Sequence, residues 1–119
     1  MTEKRKYMRF DTMLQTAYKI LGRQTNKIRS TIRDISKEGL RLASSEHVKK
    51  GTVLELEMNV PGDNIPIFAC GEVAWSKKSE HSKCDVGLKF VNIKNLDKIR
   101  LLEFVYDQWV NKRKDRRSK

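Results

Sequence analysis

Cysteine, histidine and proline are scarce in this chain of 119 residues, with two of each. Cys70 and Cys84 stand in separate strand-like segments, and a reducing compartment would keep them as two thiols. His81 precedes Cys84 by three positions and His47 is alone in a loop, so no recognised zinc spacing exists and no metal or cofactor is expected. There is no Ser/His/Asp arrangement and no glycine-rich phosphate loop, which argues against an enzyme. No apolar run approaches the roughly 18 residues that a membrane helix needs. The basic N-terminus is not followed by an apolar segment, so it is no secretory signal. Together these absences predict a cytoplasmic protein of one domain, without a membrane span.

What is abundant is charge. Lys and Arg total 26 against 15 Asp and Glu, a net +11. Residues 1–9 hold four basic residues and one acid, giving +3; residues 111–119 hold six and one, giving +5. The intervening 16 basic and 13 acidic residues leave +3, so the body is only mildly basic. That division suits an anion-seeking leader and a basic tail on a soluble domain better than a nucleic-acid-binding face.

Short alternating runs fill the body. In "VLELEMNV", Leu54, Leu56, Met58 and Val60 share one face and Glu55, Glu57 and Asn59 the other, the period of a half-buried antiparallel strand. "NKIRSTIRDI" turns Ile28 and Ile32 inward. "IFACGEVAW" places Ile67, Ala69, Val73 and Trp75 on one side, and "CDVGLKF" does so with Val86, Leu88 and Phe90. "LQTAYKIL" and "GLRLAS" complete six strand candidates, separated by turn signals such as "LGRQTN" and "VPGDNIP". The expected fold is mainly β: a small six-stranded antiparallel barrel, closed because closure removes exposed edges.

From Asn95 the period lengthens. Leu96, Ile99, Leu102, Tyr106 and Trp109, joined by Leu101 and Val105, follow helical spacing and should lie on the barrel. Asn95 is the expected N-cap, with Asp97 in the first turn and Lys112 to Lys114 at the negative end of the dipole. The expected division is a mobile basic leader over 1–10, barrel and helix over 11–111, and a basic disordered tail over 112–119.

Two motifs carry the chemistry. "EKRKYMRF" sets Arg5 and Arg9 four apart in the leader, and "DISKEG" sets Asp34, Ser36 and Gly39 between the second and third strands. Alone, the second motif reads as a tight turn with side-chain hydrogen bonds, and Gly39 permits either a left-handed turn or a close backbone approach. The two in order, Arg5-x-x-x-Arg9 and Asp34-x-Ser36-x-x-Gly39, resemble the signature of PilZ domains, bacterial receptors for cyclic di-GMP. "GEVAW", "VGLKF" and the closing helix also look like the family's final elements.

The resemblance implies that cyclic di-GMP is the ligand. Arg5 and Arg9 would grip its phosphates and guanines, which suit a planar fork able to bond in pairs and to stack. Asp34 would accept from the guanine N1–H and amine, Ser36 would bond a phosphate or base edge, and Gly39 would keep the turn open. The leader would fold over the ligand and signal to a protein partner of unknown identity. Lys4 would go with two stacked ligand molecules rather than one. Arg41 points outward beside the site and could assist or simply be solvated. Trp75 could stack on a base, although its parity favours the core. The rival function is a nucleic-acid-binding small barrel, which calls for exposed strand aromatics that the parity rarely offers. A purely structural interaction domain would have no use for both arginines, Asp34 and Ser36.

Overall fold

The computed structural model describes residues 8–78 and 83–117, with side chains through residue 112. Six strands and one helix follow in order: β1 (Arg9–Ile20), β2 (Ile28–Ser36), β3 (Gly39–Ser44), β4 (Val53–Met58), β5 (Ile67–Lys78), β6 (Cys84–Ile93) and α1 (Asn95–Arg117). The strands close into a barrel in the order β1-β2-β3-β6-β5-β4, every neighbour antiparallel. Closure is made by β1, which pairs with β2 along its length and with β4 from Thr16 to Ile20. No helix among the described residues is long and apolar enough to cross a membrane.

The alternating apolar positions meet inside. Leu14, Ile32, Ile35, Leu40, Leu42, Leu54, Leu56, Met58, Ile67, Val73 and Val86 are all buried. Each such side chain contributes about 1.5–3 kcal/mol by leaving water. Ordinary antiparallel alternation thus accounts for most of the barrel.

Four details depart from the expectations. β1 begins at Arg9, so Arg9 and Phe10, assigned from the sequence to the leader, are the strand's first residues; Arg9 pairs with Ser36 and Phe10 with Ile35. The first helical bond runs from the Lys98 N–H to the Lys94 carbonyl, 2.9 Å, which puts the cap at Lys94 and Asn95 inside the first turn. The helix continues past Asn111 to Arg117, as lysine and arginine are good helix formers and suit its negative end.

The last difference is rotational. Leu101 and Val105 are fully buried and α1 packs on β1, β2 and β5. Leu96 and Ile99, expected on the barrel, are instead 76% and 50% exposed. Apolar residues occur all round this helix, so its spacing alone does not choose a face. Trp109 is half-buried in an aromatic cluster with Phe10 and Tyr106, at centroid distances of 5.9 Å to each.

Candidate functional site

The signature residues converge where β2 turns into β3. Ser36 is buried, and its Oγ accepts the N–H groups of Glu38 (3.2 Å) and Gly39 (3.3 Å). The same hydroxyl lies 3.4 Å from the Gly39 carbonyl as a donor. This local network closes the turn through Lys37 and Glu38, the ordinary use of a serine at such a bend. Among the two roles open to Gly39, the structure selects close approach. A Cβ there would stand 1.9 Å from the Leu88 carbonyl oxygen on β6, and Gly39 is not among the glycines with positive φ. Ser36 and Gly39 therefore shape and seat the turn.

Asp34, two residues earlier, faces outward but is covered by arginines. Its Oδ1 accepts from Arg9 Nη1 and its Oδ2 from Arg41 Nε, both at 2.7 Å. Arg41 Nη1 also reaches Asp85 Oδ2 at 3.5 Å. The Asp34 hydrogen bond pushes the Arg41 pKa further up, against a smaller opposing effect of burial, and the charges of Asp34, Asp85 and Asp11 add to the rise. Arg41 therefore stays charged at any working pH.

Strand register then defines a row across the barrel's outer surface. Asp11 pairs with Asp34, Asp34 with Arg41, Arg41 with Gly87, and Gly87 with Trp75. Directly opposed carboxylates repel, and the guanidinium groups of Arg9 and Arg41 offset that between Asp11 and Asp34. Trp75 is the correction to the parity argument. The β5–β6 register slips between Val73 and Trp75, so Trp75 leaves the inward face and is 38% exposed. Its indole lies over Gly87, where an added Cβ would come within 2.3 Å of the ring atoms Cε2 and Nε1. Lys77 Nζ sits 5.8 Å from the ring centroid.

The structure thus brings together Arg9, Asp34, Ser36, Gly39, Arg41 and Trp75. Arg5 and Lys4 lie outside the described residues. Sequence reasoning missed Asp11, Asp85 and Gly87. The outward parity of Asp85 and Gly87 in "CDVGLKF" was visible, but only the β3–β6 register sets them beside Arg41. Chemically, the row and the adjoining Arg9 offer two guanidinium forks with the Asp34 carboxylate between them, and an exposed indole. Such a surface fits a planar, hydrogen-bonding and anionic ligand.

The family model for the PilZ domain matches residues 3–107. No curated protein has a matching sequence. Among solved structures, the chain is similar to the Bacillus subtilis inhibitor of motility MotI/DgrA, with a TM-score of 0.77 and 21% identity over 94% of this chain and 54% of that one. It is also similar to the PilZ domain of Escherichia coli YcgR with c-di-GMP, with a TM-score of 0.74 and 11% identity over 98% and 100%. A third is the K. pneumonia MrkH–c-di-GMP complex, with a TM-score of 0.71 and 13% identity over 97% and 56%. These identities compare folds; the chain spans about half the length of the MotI and MrkH chains.

Proposed function

The chain belongs to the PilZ domain family, whose model matches residues 3–107, and on that premise we propose that it is a cyclic di-GMP receptor domain. Its leader changes conformation when the ligand binds and passes the signal to a partner protein. The carrying observation is the Arg9–Asp34–Arg41 bridge on a row that ends in an exposed indole. A ligand with two phosphates and two guanines presents what these groups recognise. Guanine's N1–H and amine would replace the arginine donors at Asp34, and the released guanidinium groups would turn to phosphate. Arg5, from the leader, joins them. Adenine has no N1–H donor, so cyclic di-AMP should bind at least a few tens-fold more weakly, an unmet buried group costing about 1–3 kcal/mol.

Transmission is supported by what adjoins Arg9. On the opposite face of β1, Phe10 packs edge-on to Tyr106 and Trp109 of α1, at 6.0 and 5.9 Å. A shift of Arg9 toward ligand would therefore be felt at the helix. The test is calorimetric titration with cyclic di-GMP, where low-micromolar affinity or tighter is about −8 kcal/mol. Arg9→Ala and Arg41→Ala should each weaken binding roughly tenfold or more. Absence of heat at a hundred micromolar ligand would overturn the proposal. Unchanged affinity in both variants would remove the bridge from it.

A nucleic-acid surface has exposed strand aromatics in its favour: besides Trp75, Phe68 on β5 is 56% exposed, with Lys27 Nζ 5.4 Å from its ring centroid. However, Lys27 is paired with Glu57 and Lys19 with Glu55. Those carboxylates would repel a phosphate backbone, so the cyclic dinucleotide is the better-supported partner.

A further inference from the structure

Leu96 and Ile99 are spaced as an apolar helix face, yet they point away from the barrel. They are 76% and 50% exposed, and Tyr106 is 50% exposed on the same side. Glu103, exposed, and Val110, half-buried, complete the stripe. Along α1, Leu96, Ile99, Glu103, Tyr106 and Val110 recur at alternate steps of three and four. That is the heptad spacing with which one helix packs along another. Leu101 and Val105, buried on the barrel, lie across the helix axis from this stripe. The helix therefore carries two seams, one filled by the barrel and one open.

The open seam complements itself in one orientation. In a parallel pair of copies, each Glu103 would meet the other Glu103 in the middle of the seam, and like charges brought together out of water repel. An antiparallel pair, with its two-fold axis between positions 104 and 105, matches the same residues differently. Ile99 of each copy then lies against Val110 of the other, and Glu103 against Tyr106, whose hydroxyl can donate to the carboxylate. The flanks agree: Arg100 comes opposite Asp107 on one side, and Leu102 opposite Trp109 on the other. Arg100 is already held by Asp97 at 2.9 Å and by the Ile65 carbonyl at 2.6 Å, so little freedom is lost when it meets a further carboxylate. An anionic membrane surface is the poorer match, because the exposed Glu103 and Asp107 would face it.

We propose that the outer face of α1 is a self-association surface, on which two copies of the chain form an antiparallel helix pair with the barrels outside. This goes beyond the receptor reading and needs no ligand. Exposed patches that mark contact sites on monomers span about 300–600 Å², the scale of this stripe. A standard interface takes roughly 800 Å² from each partner. The dimer is accordingly weak, with a dissociation constant on the order of 100 µM.

Sedimentation equilibrium of the wild-type chain, from about 10 µM to 1 mM, should show monomer passing to dimer and to nothing larger, since a two-fold interface is closed. Ile99→Glu and Leu96→Lys should each raise the dissociation constant about tenfold or more. Both side chains are exposed in the single chain, so Tm should hardly move in dilute protein, which separates lost pairing from lost folding. Glu103→Leu should tighten the dimer by about fivefold or more, because it makes the seam apolar throughout. A chain that stays monomeric to 1 mM would overturn the proposal. So would a dimer indifferent to both Ile99→Glu and Leu96→Lys, or a monomer that instead binds phosphatidylglycerol vesicles through the stripe.

Orientation is read by isotope-filtered NOEs in a mixture of labelled and unlabelled chains. Ile99 and Val110 lie about 16 Å apart along one helix, so a contact between their methyl groups can arise only between copies. That contact is the expected result. Contacts of Val110 with Val110 in its place would mean parallel helices and would refute the pairing of Glu103 with Tyr106.

Discussion

Replacing Gly39 by alanine separates two roles that the signature confounds. In the ligand-contact view, a methyl group at Gly39 obstructs cyclic di-GMP and leaves the folded protein intact. In the structure, that methyl carbon would fall 1.9 Å from the Leu88 carbonyl oxygen, itself fixed in the β3–β6 ladder. Cβ atoms do not approach oxygen closer than about 3.0 Å, so a backbone shift of roughly 1 Å is required, and overpacking of this kind costs about 1–3 kcal/mol. The neighbouring bond from the Phe90 N–H to the Glu38 carbonyl, 2.9 Å, stands in the way of that shift. Its weakening adds about 0.5–1.5 kcal/mol. The expected destabilisation is therefore about 2–4 kcal/mol. For a domain of this size each kcal/mol lowers Tm by roughly 4–8 °C, so a fall of about 10–25 °C should appear in calorimetric melting of the free protein. Any loss of affinity should shrink when titration is repeated well below the lowered Tm. An unchanged Tm with abolished binding would refute the packing argument and return Gly39 to the ligand.

Further outcomes follow from the helix and the barrel wall. Leu101→Ala should cost about 2–5 kcal/mol as a buried cavity, whereas Ile99→Ala on the open face should cost under roughly 1 kcal/mol; chemical denaturation that ranks them the other way would show the helix is rotated. Phe10→Ala should preserve a calorimetric signal for cyclic di-GMP but suppress the fluorescence response of Trp109 in a Trp75→Phe background. An undiminished response would mean that Arg9 does not communicate through Phe10. Tyr18 is buried with its hydroxyl 2.7 Å from Ser44 Oγ, and burial chiefly raises its pKa above 10.0, partly opposed by that bond. Its folded-state pKa exceeds the unfolded one, so the associated stability is complete below pH 10 and is lost as pH rises through the folded value. Absorbance titration of the phenolates should find a step above pH 10, and Tyr18→Phe should remove it.

A period of two is a local property, and it was enough to place six strands and a closed antiparallel barrel, because alternating residues need a common apolar interior; the longer period from Asn95 placed the terminal helix. The turn that Ser36 closes was equally legible, since its hydrogen bonds to Glu38 and Gly39 lie within a few residues of chain. Which residues meet across strands is a different matter. Asp34, Arg41, Gly87 and Trp75 come from four strands, and only the register of the closed barrel lines them up. A slip between Val73 and Trp75 reversed the parity of the tryptophan, an event that alternation cannot foresee because each extra residue exchanges the faces. The helix shows the same limit. Its apolar residues surround the axis, so packing against β1, β2 and β5 chose Leu101 and Val105 for the interior and left Leu96 in water. Local spacing determines which elements form; long-range packing determines which of their side chains become neighbours.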